Sequence, residues 1–322
     1  MIILITTRGN GRTLDSIPRR TFGVPTPDMR ITHYERLFGA WRVPRATYIF
    51  GDLERLMPWE LRVAADLYRS LTGAGLRCLN DPARGMARVE LLTALHRAGI
   101  NPFSVMRADI APRPARFPVF LRFEDDHVKA NPTLFDSQAA LDAALDRLRE
   151  RGTPLRGVIV VEQAAELYSD GIWAKWGSWR IGDRIIDEHI AVDDTWLVKN
   201  GDHGKITDAI CEDEHDAVSS NRFAAAIRPA FDIGCIEFGR ADHSVVAGRS
   251  VVYEINTNPS ARRFVADRRP LRKETQLIAR ARIAEALQAI DTAEGGRLSI
   301  AATALRRPIR WWRPGFTTPR RK

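Results

Sequence analysis

The sequence contains little cysteine and no long apolar run among its 322 residues. Its three cysteines, Cys78, Cys211 and Cys235, have neither the paired spacing of a metal site nor the framework of a disulfide-bonded domain, which favours a reducing compartment. The first residues, MIILI, lack the charge and length of a signal peptide, and no apolar stretch approaches the roughly eighteen residues of a membrane span. We therefore expect a soluble, cytoplasmic protein.

Acidic residues are absent from residues 306–322, although the chain as a whole carries 40 of them against 49 Lys and Arg. This stretch also contains Trp311, Trp312 and three prolines, so we do not expect it to join the core. We predict that residues 301–322 form a basic, disordered tail. It would act either as a solubilising segment or as a binding segment for nucleic acid, an anionic membrane surface or an acidic polymer.

The length and the 44% hydrophobic content suit two or three packed subdomains. Residues 1–85 begin with a strand of the buried type and contain a helix-like run at 59–72, which predicts an N-terminal α/β domain. Residues 86–300 would form the main domain, closed by an amphipathic helix over 271–290. Residues 8–12 are interpreted as a mobile loop or, alternatively, as a binding loop for a phosphate or a carboxylate.

Two carboxylates and an amide follow a strand-turn-strand pattern late in the chain. Asp242 and Glu254 are separated by twelve residues, and a turn near Gly248 would place them opposite each other in a hairpin. Glu254 and Asn256 then point to one face, because side chains alternate along a strand. Three oxygen ligands of this kind suit Mg²⁺, which is usually completed by substrate phosphates. The alternative is a hairpin with a solvated acidic face.

The same residues resemble the metal-binding hairpin of the ATP-grasp superfamily, in which Arg-x-Asp on one strand precedes Glu-x-Asn on the next. Here these are Arg240, Asp242, Glu254 and Asn256, followed by Pro259. The resemblance extends over about residues 78–265 and is closest to a bacterial, carboxylate-amine ligase-like branch. It implies an α/β (α+β) ATP-grasp fold behind an N-terminal α/β pre-ATP-grasp domain.

A strand, a loop, a helix and a second strand succeed one another over residues 115–163, the order of the small lid subdomain of this family. The strands are predicted at 117–122 and 157–163, and the helix at 136–151, capped by Asp136 or Ser137. By resemblance, Arg122 occupies the place of a phosphate-binding Lys. Glu162, Gln163 and Ala164 occupy the place that contacts adenine. The loop at 124–132 is acidic where many family members are rich in glycine.

Further segments match the family in the same order along the chain. Asn80 and Pro82 resemble its Asn-x-Pro junction, after which Arg88 takes the place of a second expected Lys, and a short strand is expected at 99–103. Two strands are predicted around the turn at Gly182. Lys175 and Arg180 are the candidates for contact with the phosphates. Arg184, His189 and, in the segment that follows, Lys199 are the candidates for contact with the acceptor. Of Trp173, Trp176 and Trp179, at least one is expected in the core.

The resemblance implies an ATP- and Mg²⁺-dependent ligase that activates a carboxylate as an acylphosphate for attack by an amine or another nucleophile. The metal ligands would be Asp242, Glu254 and Asn256, and the groups that act on the reacting phosphate would be Arg240, Lys175 and Arg184. The nucleotide would be bound by Arg88, Arg122, Lys175, Glu162, Gln163 and Ala164. The acceptor could be a small molecule or a peptide.

Two alternatives to the ligase stay open at this point. Arginines at lysine positions and an acidic loop also suit a nucleotide-binding protein without ligase activity. The basic tail suits a nucleic-acid or surface-binding module.

Overall fold

The computed structural model describes residues 1–10, 24–124, 132–199, 201–259, 269–292 and 295–300. The described residues mix helices and sheets, so the predicted α/β class is confirmed. The loop at 125–131, residues 11 and 12 and the predicted basic tail at 301–322 lie outside them. Within the described residues, no helix is long and apolar enough to cross a membrane.

The N-terminal part is built on a parallel sheet. Its elements are β1 (Ile2–Thr6), β2 (Met29–His33), α1 (Tyr34–Phe38), β3 (Arg42–Pro44), β4 (Thr47–Phe50), α2 (Pro58–Gly73) and β5 (Cys78–Leu79). The strand order in the sheet is β2-β1-β4-β5, with all three pairs parallel. Strand β1 is buried along its whole length, as the apolar start of the chain predicted, and so is β4.

The middle of the chain forms a smaller antiparallel sheet with a helix against it. Its elements are α3 (Arg88–Arg97), β6 (Val105–Arg107), β7 (Val119–Phe123), β8 (Leu134–Phe135), α4 (Gln138–Glu150) and β9 (Val158–Glu162), and the sheet order is β6-β9-β7-β8. The Ser137 side chain caps α4 by accepting a hydrogen bond from the Ala140 amide at 3.3 Å. Leu141 and Leu145 pack on the sheet. The predicted order of strand, helix and strand is confirmed.

The remaining elements form the central antiparallel sheet, the helices around it and a short last strand that pairs with β3. They are β10 (Leu167–Ser169), β11 (Ile172–Ile181), β12 (Arg184–Asp193), α5 (Asp208–Ser220), α6 (Ala224–Ile233), β13 (Phe238–Val246), β14 (Arg249–Asn256), α7 (Pro270–Ile290) and β15 (Arg297–Ser299). Strand β11 pairs with β10, β12 and β13, and β13 pairs with β14. The two strands predicted around Gly182 and the long helix before residue 291 are therefore confirmed. Trp176 and Trp179 are buried, as expected of at least one of the three tryptophans.

The strand predicted at 99–103 is wrong, because the strand begins only at Val105. Gly99 has a φ of +69°, which leaves extended geometry. In place of a neighbouring strand, the Asn101 side chain makes the hydrogen bonds to the backbone of Val252. Its amide nitrogen donates to the Val252 carbonyl at 2.8 Å, and its oxygen accepts from the Val252 amide at 2.9 Å.

The first and the last elements that the structure describes pack together. One buried cluster joins Ile2 and Leu4 of β1 to Trp179 of β11 and to Ile283 and Leu287 of α7. In addition, β15 pairs with β3 in an antiparallel ladder. The parts predicted as separate domains at 1–85 and 86–300 therefore share a core, and the boundary itself stays a prediction.

Candidate functional site

The hairpin of β13 and β14 has the register that the sequence indicated. Asp242 lies opposite Glu254 and Arg240 lies opposite Asn256. The turn contains Gly248 at φ +74°, a conformation that glycine adopts readily. Because alternate side chains share a face, these four polar groups reach the same cavity.

The cavity has a volume of about 280 Å³ and walls of two kinds. Among the described residues, its charged lining comprises five cations and three carboxylates: Arg88, Arg122, Lys175, Lys199 and Arg240, with Glu162, Asp242 and Glu254. Its apolar lining includes two ring pairs, Phe120 with Trp196 and Phe103 with Tyr253, whose centroids lie 4.8 and 6.0 Å apart. The excess of cations favours an anionic ligand, and the aromatic walls favour one that carries a flat or apolar part.

Asp242 is held between two cations. The Lys175 Nζ atom lies 2.8 Å from one carboxylate oxygen, and the Arg240 Nε atom lies 3.3 Å from the other. Burial alone would raise the pKa of Asp242, but Lys175 and Arg240 outweigh it and hold the pKa below its usual range. Lys175 also donates to the Lys199 carbonyl at 3.2 Å. Asp242 is therefore an ionised carboxylate at neutral pH.

Glu254 is paired with two arginines. Arg88 bonds directly to its Oε2 atom, and Arg122 reaches the same oxygen at 3.9 Å. Burial and the nearby Asp242 charge would raise the pKa of Glu254, but Arg88 and Arg122 bring it below the usual value. Arg88 also donates to the main-chain carbonyl of Glu124 at the end of β7, so one side chain links the hairpin to the smaller sheet.

The donor set at the hairpin suits Mg²⁺ only as a partial shell. Within the described ranges, no group of three or more His, Cys, Asp or Glu side chains could hold a metal ion. Asp242, Glu254 and the Asn256 amide provide two carboxylates and one neutral oxygen, which is the kind of shell that phosphates and water complete around Mg²⁺. The Asn256 oxygen already accepts from the Asn258 amide at 2.8 Å, which fixes the orientation of its side chain.

Glu188 on β12 lies beside both Arg240 and His189. Sequence reasoning missed the role of Glu188. The register of β11 and β12 shifts between Gly177 and Ser178, so that Glu188 is the extra residue of a β-bulge. The Glu188 carboxylate lies 3.0 Å from the His189 Nδ1 atom and 3.6 Å from Arg240. Although burial would raise the pKa of Glu188, His189 and Arg240 lower it. A bulge interrupts the alternation of a strand, which leaves no periodic signal in the sequence.

Glu162, Gln163 and Ala164 all line the cavity at the end of β9. The Glu162 carboxylate accepts from the amides of Ser104 at 2.9 Å and Ala115 at 3.0 Å, so it organises the neighbouring backbone. The Gln163 side chain donates to the Ala165 carbonyl at 3.0 Å. Contact with adenine by these residues stays a prediction.

The structure does not bring Arg184 or Arg180 to this cavity. Arg184 begins β12 beside the turn and lies 3.5 Å from Glu285 on α7, and Arg180 pairs with Asp232 at 2.6 Å. Lys175 is six residues from the end of β11, so the turn is about 20 Å from the cavity at the usual rise of a strand. The predicted role of Arg184 is therefore withdrawn. Lys199 does line the cavity, as expected.

No family model and no curated protein matches this chain. Among solved structures, it is similar to a D-alanine–D-alanine ligase from Bacillus anthracis complexed with ATP, at 10% identity over 90% of this chain and 96% of that one, with a TM-score of 0.46. It is also similar to a RimK domain ATP-grasp protein from Sphaerobacter thermophilus, at 16% identity over 88% and 98%, with a TM-score of 0.44. A third is the ATP-grasp ligase PsnB complexed with a precursor variant, Mg and ADP, at 14% identity over 90% and 96%, with a TM-score of 0.47. The second and third of these structures are named as ATP-grasp proteins, the superfamily that the sequence motifs resemble.

Proposed function

We propose that the protein is an ATP-grasp ligase that uses ATP and Mg²⁺ to activate a carboxylate for attack by an amine or another nucleophile. The observation that carries this proposal is the lining of one cavity by cations, by two opposed carboxylates and by aromatic rings. A nucleoside triphosphate with a divalent cation needs all three. The base needs apolar walls, the phosphates need cations, and the metal needs carboxylates.

Each polar side chain has a distinct role in this proposal. Asp242, Glu254 and Asn256 would hold Mg²⁺, which when bound offsets the charge on the phosphates. Arg122 on the smaller sheet and Lys175 on the central sheet would offset the negative charge of the triphosphate. Arg240 stabilises the charge that develops on the phosphoryl group in transfer, because its guanidinium is a fixed donor that Glu188 and Asp242 keep in place.

The chemistry asks for positioning more than for covalent help from the protein. An acceptor carboxylate oxygen bonds to the γ-phosphorus while the bond to the β,γ-bridging oxygen breaks, which yields an acylphosphate and ADP. The nucleophile then attacks the acyl carbon, inorganic phosphate leaves, and an amine nucleophile releases one proton. Exclusion of water by the aromatic walls protects the acylphosphate from hydrolysis.

The test is calorimetric titration of the full chain with a non-hydrolysable ATP analogue, with and without Mg²⁺. Binding should require Mg²⁺ in the wild type. Glu254→Gln, which keeps the shape of the side chain and removes one charge, should weaken Mg²⁺-dependent binding about tenfold or more. Glu285→Gln on the exposed side of α7 is the matched control and should bind like the wild type. Equal affinity in all three proteins would refute the nucleotide site.

A nucleotide-binding protein without ligase activity is the second candidate. The ion pairs of Glu254 with Arg88 and Arg122 favour it, because they occupy the carboxylate that a metal would need. Measurement of ADP release with a panel of carboxylates and amines separates the two. Nucleotide binding without ADP release for any carboxylate and amine pair would assign the second function.

A further inference from the structure

A second cavity lies beside the candidate nucleotide site. It has a volume of about 460 Å³ and is enclosed by β7, by the last turns of α4 and by residues 197–199. We call it the lid groove. Four cations, Arg122, Arg147, Arg151 and Lys199, line it together with apolar side chains that include Phe123 and Leu148. None of its lining residues is acidic, within the residues that the structure describes.

The arginines at the end of α4 that face the lid groove differ in their ion pairing from the charged residues elsewhere on the helix. Outside the groove, Arg149 forms an ion pair with Asp146 at 2.6 Å, and Asp142 forms one with Arg113 at 3.1 Å. Arg147 and Arg151 face the groove, and neither has an ion pair among the described residues. Arg147 lies in the last turn of α4 and Arg151 is the residue that caps its end, where cations also favour the helix dipole. The pair complements an anionic ligand.

The apolar lining narrows the class of that ligand. Phe123 is 41% exposed although it is a large hydrophobic residue, and Leu148 is partly exposed beside it. A bare phosphate chain would gain nothing from these surfaces, whereas a peptide with alternating acidic and apolar side chains would bury apolar area and meet the cations. The volume also exceeds what one amino-acid side chain fills.

The lid groove and the candidate nucleotide site share part of their lining. Arg122 and Lys199 line both cavities, as do Phe120 and Leu197. The Lys199 carbonyl accepts from Lys175, which pairs with Asp242. The groove therefore lies directly beside the cavity that contains the carboxylates of the hairpin.

We propose that the lid groove binds the acceptor, which is a peptide segment with acidic and apolar side chains. Delivery of one of the peptide's carboxylates to the nucleotide rests on the proposed function, whereas binding of the peptide in the groove does not.

The test compares two double variants with the same change of charge. Arg147→Glu with Arg151→Glu reverses the charge of two of the four cations of the groove. Arg113→Glu with Arg149→Glu reverses the charge of two arginines that pair with acidic residues of α4 outside the groove. The probe is a fluorescein-labelled hexapeptide of alternating glutamate and leucine, and its affinity is measured by fluorescence anisotropy on the full chain. The groove variant should bind it about tenfold more weakly than the wild type, and the control within about twofold.

The outcomes separate the groove from the nucleotide site. Equal weakening in both double variants, or equal affinity for a hexapeptide of glutamine and leucine, overturns the proposal. Displacement of the peptide by inorganic tripolyphosphate from protein saturated with the ATP analogue also overturns it, because the groove would then be a phosphate site. Peptide binding without nucleotide binding in the wild type refutes the proposed function and leaves the groove standing.

Discussion

Arg88 and Arg122 stand where the family resemblance expects lysines, and they contact Glu254 in different ways. Arg88 uses two nitrogens of its guanidinium, one for Glu254 and one for the Glu124 carbonyl. Arg122 approaches the same carboxylate at 3.9 Å. The planar fork of Arg88 therefore bridges two acceptors, whereas the contact of Arg122 with Glu254 is an attraction between two charges at longer range.

Lysine should consequently be tolerated at one position and not at the other. Arg122→Lys keeps the positive charge near Glu254, so it should change the affinity for an ATP analogue by less than about threefold. Arg88→Lys should destabilise the protein by about 1.5–3 kcal/mol, because one ammonium cannot bridge both acceptors and one charge-assisted bond is lost. Calorimetry measures the affinity of the Arg122→Lys protein, and urea unfolding measures the stability of the Arg88→Lys protein.

Arg122→Gln serves as the reference for that comparison, because it removes the charge and keeps a polar side chain. It should weaken nucleotide affinity about tenfold while Arg122→Lys does not. If Arg122→Lys and Arg122→Gln lose the same affinity, the guanidinium fork at residue 122 is essential, and the distinction drawn between the two arginines is wrong.

At the scale of elements, the bulge of β12 is the feature that places Glu188 beside Arg240. Gly177 lies opposite it on β11, and a Cβ atom built there would be 2.7 Å from the His189 Cε1 atom and 3.4 Å from the Arg240 Cδ atom. The bulge and the glycine therefore depend on each other. The absent side chain makes room for the His189 ring.

Gly177→Ala should destabilise the protein by about 1–3 kcal/mol, because the buried His189 ring must move and release Glu188. Urea unfolding measures the loss. Gly73→Ala at the end of α2 is the matched control, since a Cβ atom there meets nothing within 4 Å, and it should be neutral or slightly stabilising. A Gly177→Ala protein as stable as the wild type would show that the His189 ring has room to shift.

The same strands show what the sequence could and could not reveal about the site. The opposition of Asp242 and Glu254 followed from their separation and from the turn at Gly248, since a hairpin register depends on local sequence. The role of Glu188 did not follow, because a bulge inserts one residue without a compositional mark. Arg184 was misplaced because its strand is ten residues long, and a basic residue anywhere along it fits the same family pattern.

The sequence was also informative about which segments are helices, and less so about loops held by side chains. The stripe of Leu141 and Leu145 predicted α4 within about two residues at each end, because apolar period and capping act locally. The segment at 99–103 was assigned to a strand, whereas the Asn101 side chain holds it against β14. That contact joins residues 151 positions apart, and no local pattern encodes it.

At the scale of the whole molecule, Asn80 joins the N-terminal sheet to the central sheet. Its side-chain nitrogen donates to the carbonyls of Phe50 at 3.0 Å and Phe238 at 2.8 Å, and its oxygen accepts from the amides of Glu237 and Phe238 at 2.8 Å each. It is fully buried, and its φ is +64°. One side chain thus satisfies four backbone groups from two parts of the fold.

Two substitutions at Asn80 separate its side-chain bonds from its backbone conformation. Asn80→Gly accepts the positive φ but leaves four buried backbone groups unpaired, so it should lower the free energy of unfolding by about 3–5 kcal/mol. Asn80→Ala should lose about 1 kcal/mol more, because alanine does not adopt this φ readily. Urea unfolding of the three proteins gives both differences. If the glycine variant is as stable as the wild type, water replaces the amide, and the two sheets are held together by the apolar cluster around Trp179 and Leu287 alone.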